Sequence, residues 1–316
     1  MGEPCGIGPE IVIRSLAKGI PHEVPMVIYG SPLLLEKAAR DCGFRPFWNV
    51  SSTLETNDLI VVFPVGPNPL EGRFPTGETS LRAQATLCAL DRASEDALSG
   101  RLSALITGPI DKTLVRTVLP EFTGHTEYLA QKAAGVSTVM MLDNTEIRVV
   151  LVTNHISLKE VSRSITRERL ENVIRISAAS LQKMFGIEQP RIALTGLNPH
   201  AGELVEGAEE SEIFRPVVEK LSSQGWKIEG PFAADSFFAL ARYGGWDFIV
   251  SPYHDQGLVA AKYPGLDKVV NITLGLPYLR VSPGHGVAYD KVGQKRADAR
   301  SFERALRIAS TRSLVS

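Results

Sequence analysis

This sequence predicts an α/β protein with two domains. Short β-rich runs alternate with stretches of helical periodicity along the whole chain, a pattern that places strands and helices in a mostly parallel sheet. The chain has 316 residues, more than one simple core organises. No linker divides it cleanly, so the domains are expected to be built from interleaved segments.

Taken in order, strands are expected at 25–29, 58–63, 103–107, 138–142, 147–153, 191–195, 247–251 and 268–273. Between them, residues 84–99 put Leu87, Leu90, Ala93, Ala97 and Leu98 on one helical face. Thr166 is placed to cap a helix whose apolar stripe is Leu170, Val173, Ile174, Leu181 and Phe185. Pro216 falls in the first turns of a helix that runs to about Ser223, and Gly225 ends it. A last helix is expected over 299–310, and the proline-rich stretch 64–75 reads as a surface loop. The opening Met1-Gly2-Glu3-Pro4 reads like the end of a first strand whose body is absent, which marks either a trimmed chain or a start further upstream.

A 44% hydrophobic and 22% charged composition is that of an ordinary globular protein. The formal charge of −1 gives no global pull toward nucleic acid or anionic membrane. No run of about eighteen uncharged apolar residues suits a membrane span, and the start lacks the pattern of a signal peptide. Cys5, Cys42 and Cys88 form neither a disulfide framework nor a metal-ligand pattern, which fits a reducing cytoplasm.

Three of the six histidines stand where an apolar run stops and the chain turns: Val152-Thr153-Asn154-His155, Leu197-Asn198-Pro199-His200 and Pro252-Tyr253-His254. In open α/β sheets the loops beyond the carboxyl ends of strands line the ligand crevice. Imidazoles delivered there from three distant positions suit a divalent metal with coordination positions left for substrate. Three independent loop histidines would give the same pattern one at a time. The set, with Asp255 beside the last and Asn198-Pro199 before the second, favours metal.

Other motifs carry charge or glycine. The turn from Gly2 through Gly8-Pro9-Glu10 could cradle a phosphate, although it has neither dinucleotide nor P-loop spacing, and a plain structural turn explains it without a ligand. Thr107-Gly108-Pro109-Ile110-Asp111-Lys112 follows a strand and introduces a cation. Thr123-Gly124-His125-Thr126-Glu127 suits a phosphate or carboxylate, and equally a helix start with Thr126 as its cap and Glu127 on the dipole. Lys262, Asn271 and Arg280 recur at nine-residue intervals, with Arg280 offering a planar fork and Lys262 a point charge. Gly284-His285-Gly286-Val287-Ala288-Tyr289-Asp290 is a second glycine-rich loop.

Together these motifs, with Asn198-Pro199-His200-Ala201-Gly202-Glu203, Tyr253-His254-Asp255-Gln256-Gly257 and Asn271-Ile272-Thr273-Leu274-Gly275-Leu276-Pro277, resemble the 4-hydroxythreonine-4-phosphate dehydrogenase family, essentially end to end and in order. The resemblance implies a two-domain α/β/α fold similar to isocitrate and isopropylmalate dehydrogenases, with the active site in the interdomain cleft. Its domains would be 1–126 plus 283–316, and 127–282 carrying the metal ligands and the dimer interface. It implies NAD (or NADP) and a divalent metal (Zn, Mg, Co or Mn) as cofactors, and a homodimer with shared active sites. The reaction implied is oxidation with decarboxylation of 4-phosphooxy-L-threonine to 3-amino-2-oxopropyl phosphate, in pyridoxal 5′-phosphate biosynthesis.

Carried over by motif, His155 and His200 would be metal ligands from one subunit and His254 the ligand from its partner. His125, Thr126, Lys262, Asn271 and Arg280 would contact substrate, and His285, Gly286 and Asp290 the cofactor. Asp235, Asp255 and Lys112 are the candidates for the base. Two positions depart from the family pattern: Gly284 stands where an aspartate is usual, and Asp111 where histidine or asparagine is common. These bear on the substrate, with D-threonate or D-erythronate 4-phosphate and a cis-dihydrodiol dicarboxylate as alternatives within the family. Outside it, a metal-dependent hydrolase or aldolase, or a non-catalytic anion-binding protein, would use the same histidines without a nucleotide.

Overall fold

A computed structural model of the chain describes residues 1–19, 24–67, 78–203 and 207–313. Of the proline-rich stretch expected to be a loop, residues 68–75 lie outside the described ones. In chain order the strands are β1 (Met26–Gly30), β2 (Asn49–Val50), β3 (Ile60–Pro64), β4 (Ala104–Ile106), β5 (Val139–Asp143), β6 (Arg148–Leu151), β7 (Ile192–Thr195), β8 (Ile228–Phe232), β9 (Phe248–Ser251), β10 (Val270–Leu274) and β11 (Leu279–Pro283). The helices are α1 (Gly8–Leu16), α2 (Pro32–Cys42), α3 (Thr79–Leu98), α4 (Lys112–Val115), α5 (His125–Lys132), α6 (Leu158–Ser164), α7 (Arg167–Phe185), α8 (Arg215–Ser223), α9 (Ala234–Leu240), α10 (His254–Lys262) and α11 (Arg300–Ser313).

The chain forms two compact α/β units, one from Met1–Gly135 and Pro277–Ser316, the other from Val136–Leu276. The crossings thus fall later at the first boundary, and earlier at the second, than the 126/127 and 282/283 expected from the sequence. Two contacts account for the shift. Helix α5 is tied to α3 through Lys132 Nζ and Asp91, 2.8 Å apart, and β11 pairs with β4 with Arg280 opposite Leu105.

In unit 1, β1 and β2 flank β3, all parallel, and β4 runs parallel to β11. Helices α1 and α2 pack on each other, and α3 packs against both β1 and β4. The core joins Ile11 and Ile13 of α1, Leu35 of α2, Val62 of β3 and Phe302 of α11. Side chains of this size contribute about 1.5–3 kcal/mol each when fully buried. On α3, Leu90, Ala93 and Ala97 face inward as expected, whereas Leu98, at the last turn, is 37% exposed.

In unit 2 the strand order is β10-β5-β6-β9-β7-β8. Strand β5 runs antiparallel to both β10 and β6, and β6, β9, β7 and β8 run parallel. Thr166 caps α7 by accepting from the Arg169 amide, and Gly186 (φ 63°) ends that helix in the left-handed conformation that costs glycine least. Leu170, Val173, Ile174 and Leu181 are buried along α7, as their spacing predicts.

Three strands were not expected from the sequence. The β8 stretch carries Gly230-Pro231 and is tolerated because β8 is an edge strand with an irregular register to β7. In β11 the buried charge of Arg280 and the closing Pro283 break the apolar alternation, and β2 is too short for any pattern.

Candidate active site

The three histidines leave three adjacent parallel strands. His155 follows β6, His254 follows β9 and His200 follows β7, and in the sheet β9 lies between the other two. All three therefore emerge at the carboxyl end of one sheet, within unit 2. The rings of His155 and His254 have centroids 5.5 Å apart, tilted by 48°. Two imidazoles sharing one tetrahedral ion put their centroids about 5 Å apart, so this pair fits a metal. His254 Nδ1 lies 2.6 Å from Asp255 Oδ1, which fixes the ring, as in carboxylate–histidine–metal arrangements. Among the described residues of one chain, no three His, Cys, Asp or Glu side chains gather into a metal-holding group.

Residues behind the histidines set their loops. His200 and Ala201 both adopt left-handed backbone (φ 54° and 52°), a strained state for residues with side chains. Glu210, in the wide turn Glu210–Phe214 that leads into α8, holds this loop from below. Its Oε1 accepts from the Leu197 and Asn198 amides at 2.7 Å, and its Oε2 accepts from Asn198 Nδ2 at 2.9 Å. Glu209 accepts from the same amide group at 2.7 Å. Gln256 ties two strand ends together: its Oε1 accepts from Thr195 of β7 (2.7 Å) and Ser251 of β9 (2.6 Å), and its Nε2 donates to Gly196 O (2.9 Å). Thr153 donates through its hydroxyl to Pro252 O (2.8 Å), which links the His155 loop to the His254 loop.

Unit 1 holds a separate cluster of cations. Arg280, on β11, is 3% exposed, and its Nη2 donates to Thr107 Oγ1 at 2.6 Å. Burial outweighs the nearby Tyr278 and Glu127 and pushes its pKa down to about 10. His125 opens α5, and burial, reinforced by Arg280, the terminal amine and Lys112, holds its pKa well below the usual imidazole range. His125 is therefore neutral at physiological pH. A side chain at Gly124 would sit 3.4 Å from Lys112 Nζ, so the glycine lets Lys112 reach the His125 loop. The N-cap of α5 is Gly124, which moves Thr126 from the expected cap position into the first turn. Asp111 caps α4 by accepting from the Leu114 amide and also accepts from Tyr289 Oη at 2.9 Å, so its charge is engaged in the fold.

The glycine-rich loop ahead of α11 is tied to the opening turn through Tyr289. Arg82 donates to Tyr289 Oη (3.1 Å) and, at 2.8 Å, to Glu3 Oε1, which also accepts from the Cys5 amide (3.0 Å). Gly2 (φ 83°) lies so close to Pro109 O that a side chain would approach it to 2.4 Å. His285 Nε2 is buried without a hydrogen-bond partner among the described residues, which leaves a polar atom in this loop for a ligand. Gly286 and Asp290 are exposed.

The remaining candidates are divided between the units. Lys262 closes α10 and Asn271 lies on β10 with a buried Oδ1 that has no partner among the described residues, both in unit 2. Asp235 is exposed in the first turn of α9, and the Asp255 side chain is 82% exposed. Sequence reasoning missed Glu3, Thr107, Glu210 and Gln256 as positioning groups. Glu3 and Gln256 stand inside motifs that were read for other residues, whereas nothing in the sequence marks Glu210, whose partners lie a loop away.

A family model of the pyridoxal phosphate biosynthetic protein PdxA matches residues 22–309. A 4-hydroxythreonine-4-phosphate dehydrogenase of Xanthomonas oryzae pv. oryzae is 40% identical over 309 residues, which is 95% of this chain and 93% of that one. The solved 4-hydroxythreonine-4-phosphate dehydrogenase of Klebsiella pneumoniae superposes with a TM-score of 0.86 at 32% identity, covering 98% of this chain and 97% of its own. A terephthalate 1,2-cis-dihydrodiol dehydrogenase of Burkholderia xenovorans is more distant, with a TM-score of 0.69 at 26% identity over 98% of this chain and 96% of its own.

These similarities make the protein an α/β dehydrogenase that oxidises a CH–OH group, a class that uses a nicotinamide cofactor. Within that class, the chain belongs to the pyridoxal phosphate biosynthetic protein PdxA family. Among the described residues no helix is long and apolar enough to cross a membrane.

Proposed function

We propose that this enzyme oxidises and decarboxylates 4-phosphooxy-L-threonine to 3-amino-2-oxopropyl phosphate, with NAD and a divalent metal, as a cytoplasmic homodimer with shared active sites. The observation that carries the reading is the buried Arg280 of unit 1, with His125 and Lys112 close enough to share its field. Arg280 is enclosed, its pKa is pushed down to about 10, and a dianionic phosphate would restore what burial costs it. His125, kept neutral, adds a hydrogen-bond donor, and Lys112 and Thr126 stand beside it in the same loops. Lys262 and Asn271 are the further substrate contacts that the family resemblance implies.

His155, His200 and His254 would hold the metal, with Asp255 and Glu210 fixing the orientation of two of them. A divalent ion bound there supplies Lewis-acid polarisation of the reacting oxygen. NAD bound by this chain would supply the hydride acceptor for the alcohol carbon, and Asp235, Asp255 and Lys112 are the candidates for the base that would take the hydroxyl proton. The resulting β-keto acid loses carbon dioxide, and the electron pair left on carbon is then protonated. His285, Gly286 and Asp290 would receive the cofactor, His285 through its unpartnered Nε2.

The ring pair His155–His254 lies within one chain, whereas the family resemblance assigns His254 to the partner's site. At a two-fold interface a residue near the axis stands close to both sites, so this proximity is compatible with sharing. A second reading, oxidation of a cis-dihydrodiol dicarboxylate, follows from Gly284, which stands where a carboxylate is usual and whose amide donates to Ser301 Oγ (2.9 Å), and from the likeness to a dihydrodiol dehydrogenase. The test is reduction of NAD and of NADP, with each metal, on a panel of 4-phosphooxy-L-threonine, D-threonate and D-erythronate 4-phosphates, their dephosphorylated forms and a dihydrodiol dicarboxylate. Preference for the first compound is expected. Equal turnover of an unphosphorylated substrate would remove the phosphate role of Arg280.

A further inference from the structure

Four segments of unit 1 meet at the hydroxyl of Tyr289. Its O–H donates to Asp111 Oδ2 at 2.9 Å, and its oxygen accepts from Arg82 Nη2 at 3.1 Å. Asp111 precedes α4, and its other oxygen accepts from the Leu114 amide at 3.1 Å. Arg82, on α3, is held in turn by the buried Glu3: its Nε and Nη2 donate to Glu3 Oε1 at 2.9 and 2.8 Å. The opening turn, α3, the loop ahead of α4 and the glycine-rich loop 284–290 are thus closed on one another through one phenol. Desolvation of the hydroxyl, with Glu3 and Asp111 nearby, raises the Tyr289 pKa, so the phenol keeps its proton and remains a donor.

The backbone beside this phenol is strained. Ala288 sits at φ 42° and ψ 57°, a left-handed state that a residue with a side chain keeps only where its surroundings fix it. On one side the Ile7 amide donates to Val287 O (3.0 Å), and on the other the Gly293 amide donates to Glu10 Oε1 (2.5 Å). Those bonds fix the ends of the segment, and the Tyr289 hydroxyl fixes its middle, next to the strained residue. Tyr289 is 42% exposed, so it adds little to the core, and its bonds to Asp111 and Arg82 account for its place. With Cys5, Thr79 and Thr113, these three residues also wall an open hollow of about 440 Å3, within the size range of small-molecule sites. Strain held beside room for a ligand is the arrangement of a preorganised clamp.

We propose that Tyr289 is a positioning residue for the nucleotide: anchored by Asp111 and Arg82, its hydroxyl holds loop 284–290 in the receiving conformation before the nucleotide arrives. This rests on the assignment of the cofactor to His285, Gly286 and Asp290. It also gives the departure at Asp111 a role. A carboxylate at that position makes a charge-assisted bond to the phenol while still capping α4, so the departure bears on the nucleotide rather than on the substrate.

Two variants test this. Tyr289→Phe removes the hydroxyl alone, and Asp111→Ser keeps a helix cap for α4 but is too short to reach Tyr289. NADH and NADPH binding is followed by fluorescence titration in the wild type, each variant and the double variant. Amide exchange is followed without nucleotide at Lys291 and Val292, which donate to Ala288 O (3.0 Å) and Tyr289 O (3.4 Å). Each variant should bind the nucleotide about tenfold more weakly and exchange those amides about tenfold faster. The double variant should be no weaker than either single one, because both lesions break the same bond. In turnover, KM for NAD should rise by more than kcat falls. Faster exchange with unchanged affinity would show a purely structural bond and overturn the proposal, as would wild-type exchange rates or additive losses in the double variant. If the wild type itself bound neither nucleotide, the cofactor assignment to this loop would fall, and the proposal with it.

Discussion

In unit 1 the guanidinium of Arg280 is enclosed before any ligand arrives, whereas in unit 2 two of the three candidate histidines stand exposed at strand ends and are governed from behind. Arg280 is 3% exposed, and His155 and His200 are open to solvent. An enclosed cation carries a standing desolvation cost that an anion would offset, so unit 1 is preset for charge. The histidine loops carry little such cost, and their precision comes from Glu210 and Gln256. Unit 1 stores electrostatic bias, and unit 2 stores geometry.

The largest effects should come from the histidines. His155→Ala, His200→Ala and His254→Ala should each lower turnover by about three powers of ten or more, since a Lewis acid supplies several kcal/mol to the transition state. The fold should be unchanged by circular dichroism, and metal content should fall on dialysis. Full activity in any one variant after chelation and metal readdition removes that residue from the ligand set. Mixing the inactive His155→Ala and His254→Ala subunits should restore about a quarter of wild-type activity, because half the dimers are mixed and each has one intact site. No recovery despite subunit exchange would assign the 5.5 Å ring pair to a single-chain site.

Arg280→Ala should reduce kcat/KM for a phosphorylated substrate by roughly tenfold to a hundredfold or more, as a charge-assisted hydrogen bond contributes about 1.5–3 kcal/mol. Arg280→Lys should rescue little, because a point charge does not reproduce the guanidinium fork. Glu210→Gln probes geometry instead: it should weaken metal binding by about 10–100-fold, measured by titration, with a smaller effect on phosphate-dependent KM. If the two parameters moved together, the contrast between the units would dissolve.

The smallest expected effect is a pH dependence of stability. The folded pKa of His125 lies below its unfolded value near 6.5, so the unfolded chain binds the proton more readily. Its neutral form is accommodated above about pH 6.5, and stability is lost as pH falls from there through the depressed folded value. His125→Asn should flatten this acid-side slope in urea midpoints, and an unchanged slope would show that other groups govern it.

Much of this is legible in the sequence alone. The strands ending at His155, His200 and His254 announced themselves as apolar runs, because buried parallel strands leave no other pattern. The neighbour relation of β6, β9 and β7, which brings those histidines to one edge, was not legible, since strand order is a long-range property. Thr166 was read correctly as a cap because capping is local. Thr126 is not the cap of α5, because Gly124 supplies the capping conformation without a side-chain hydrogen bond. Glu210 left no trace because its worth lies in a loop it meets only after folding. The strand carrying Arg280 was missed because a buried cation breaks the pattern by which strands are found.

The interleaving of unit 1 also has a consequence for synthesis. Strand β4 finds its partner β11 only after all of Val136–Leu276 has been made, roughly 7–30 s at about 5–20 residues per second. Unit 2 is contiguous and has every strand it needs before the chain ends. On the ribosome the last-made part of the molecule therefore completes the first-made part, and the β11-facing edge of β4 stays unpaired during that delay.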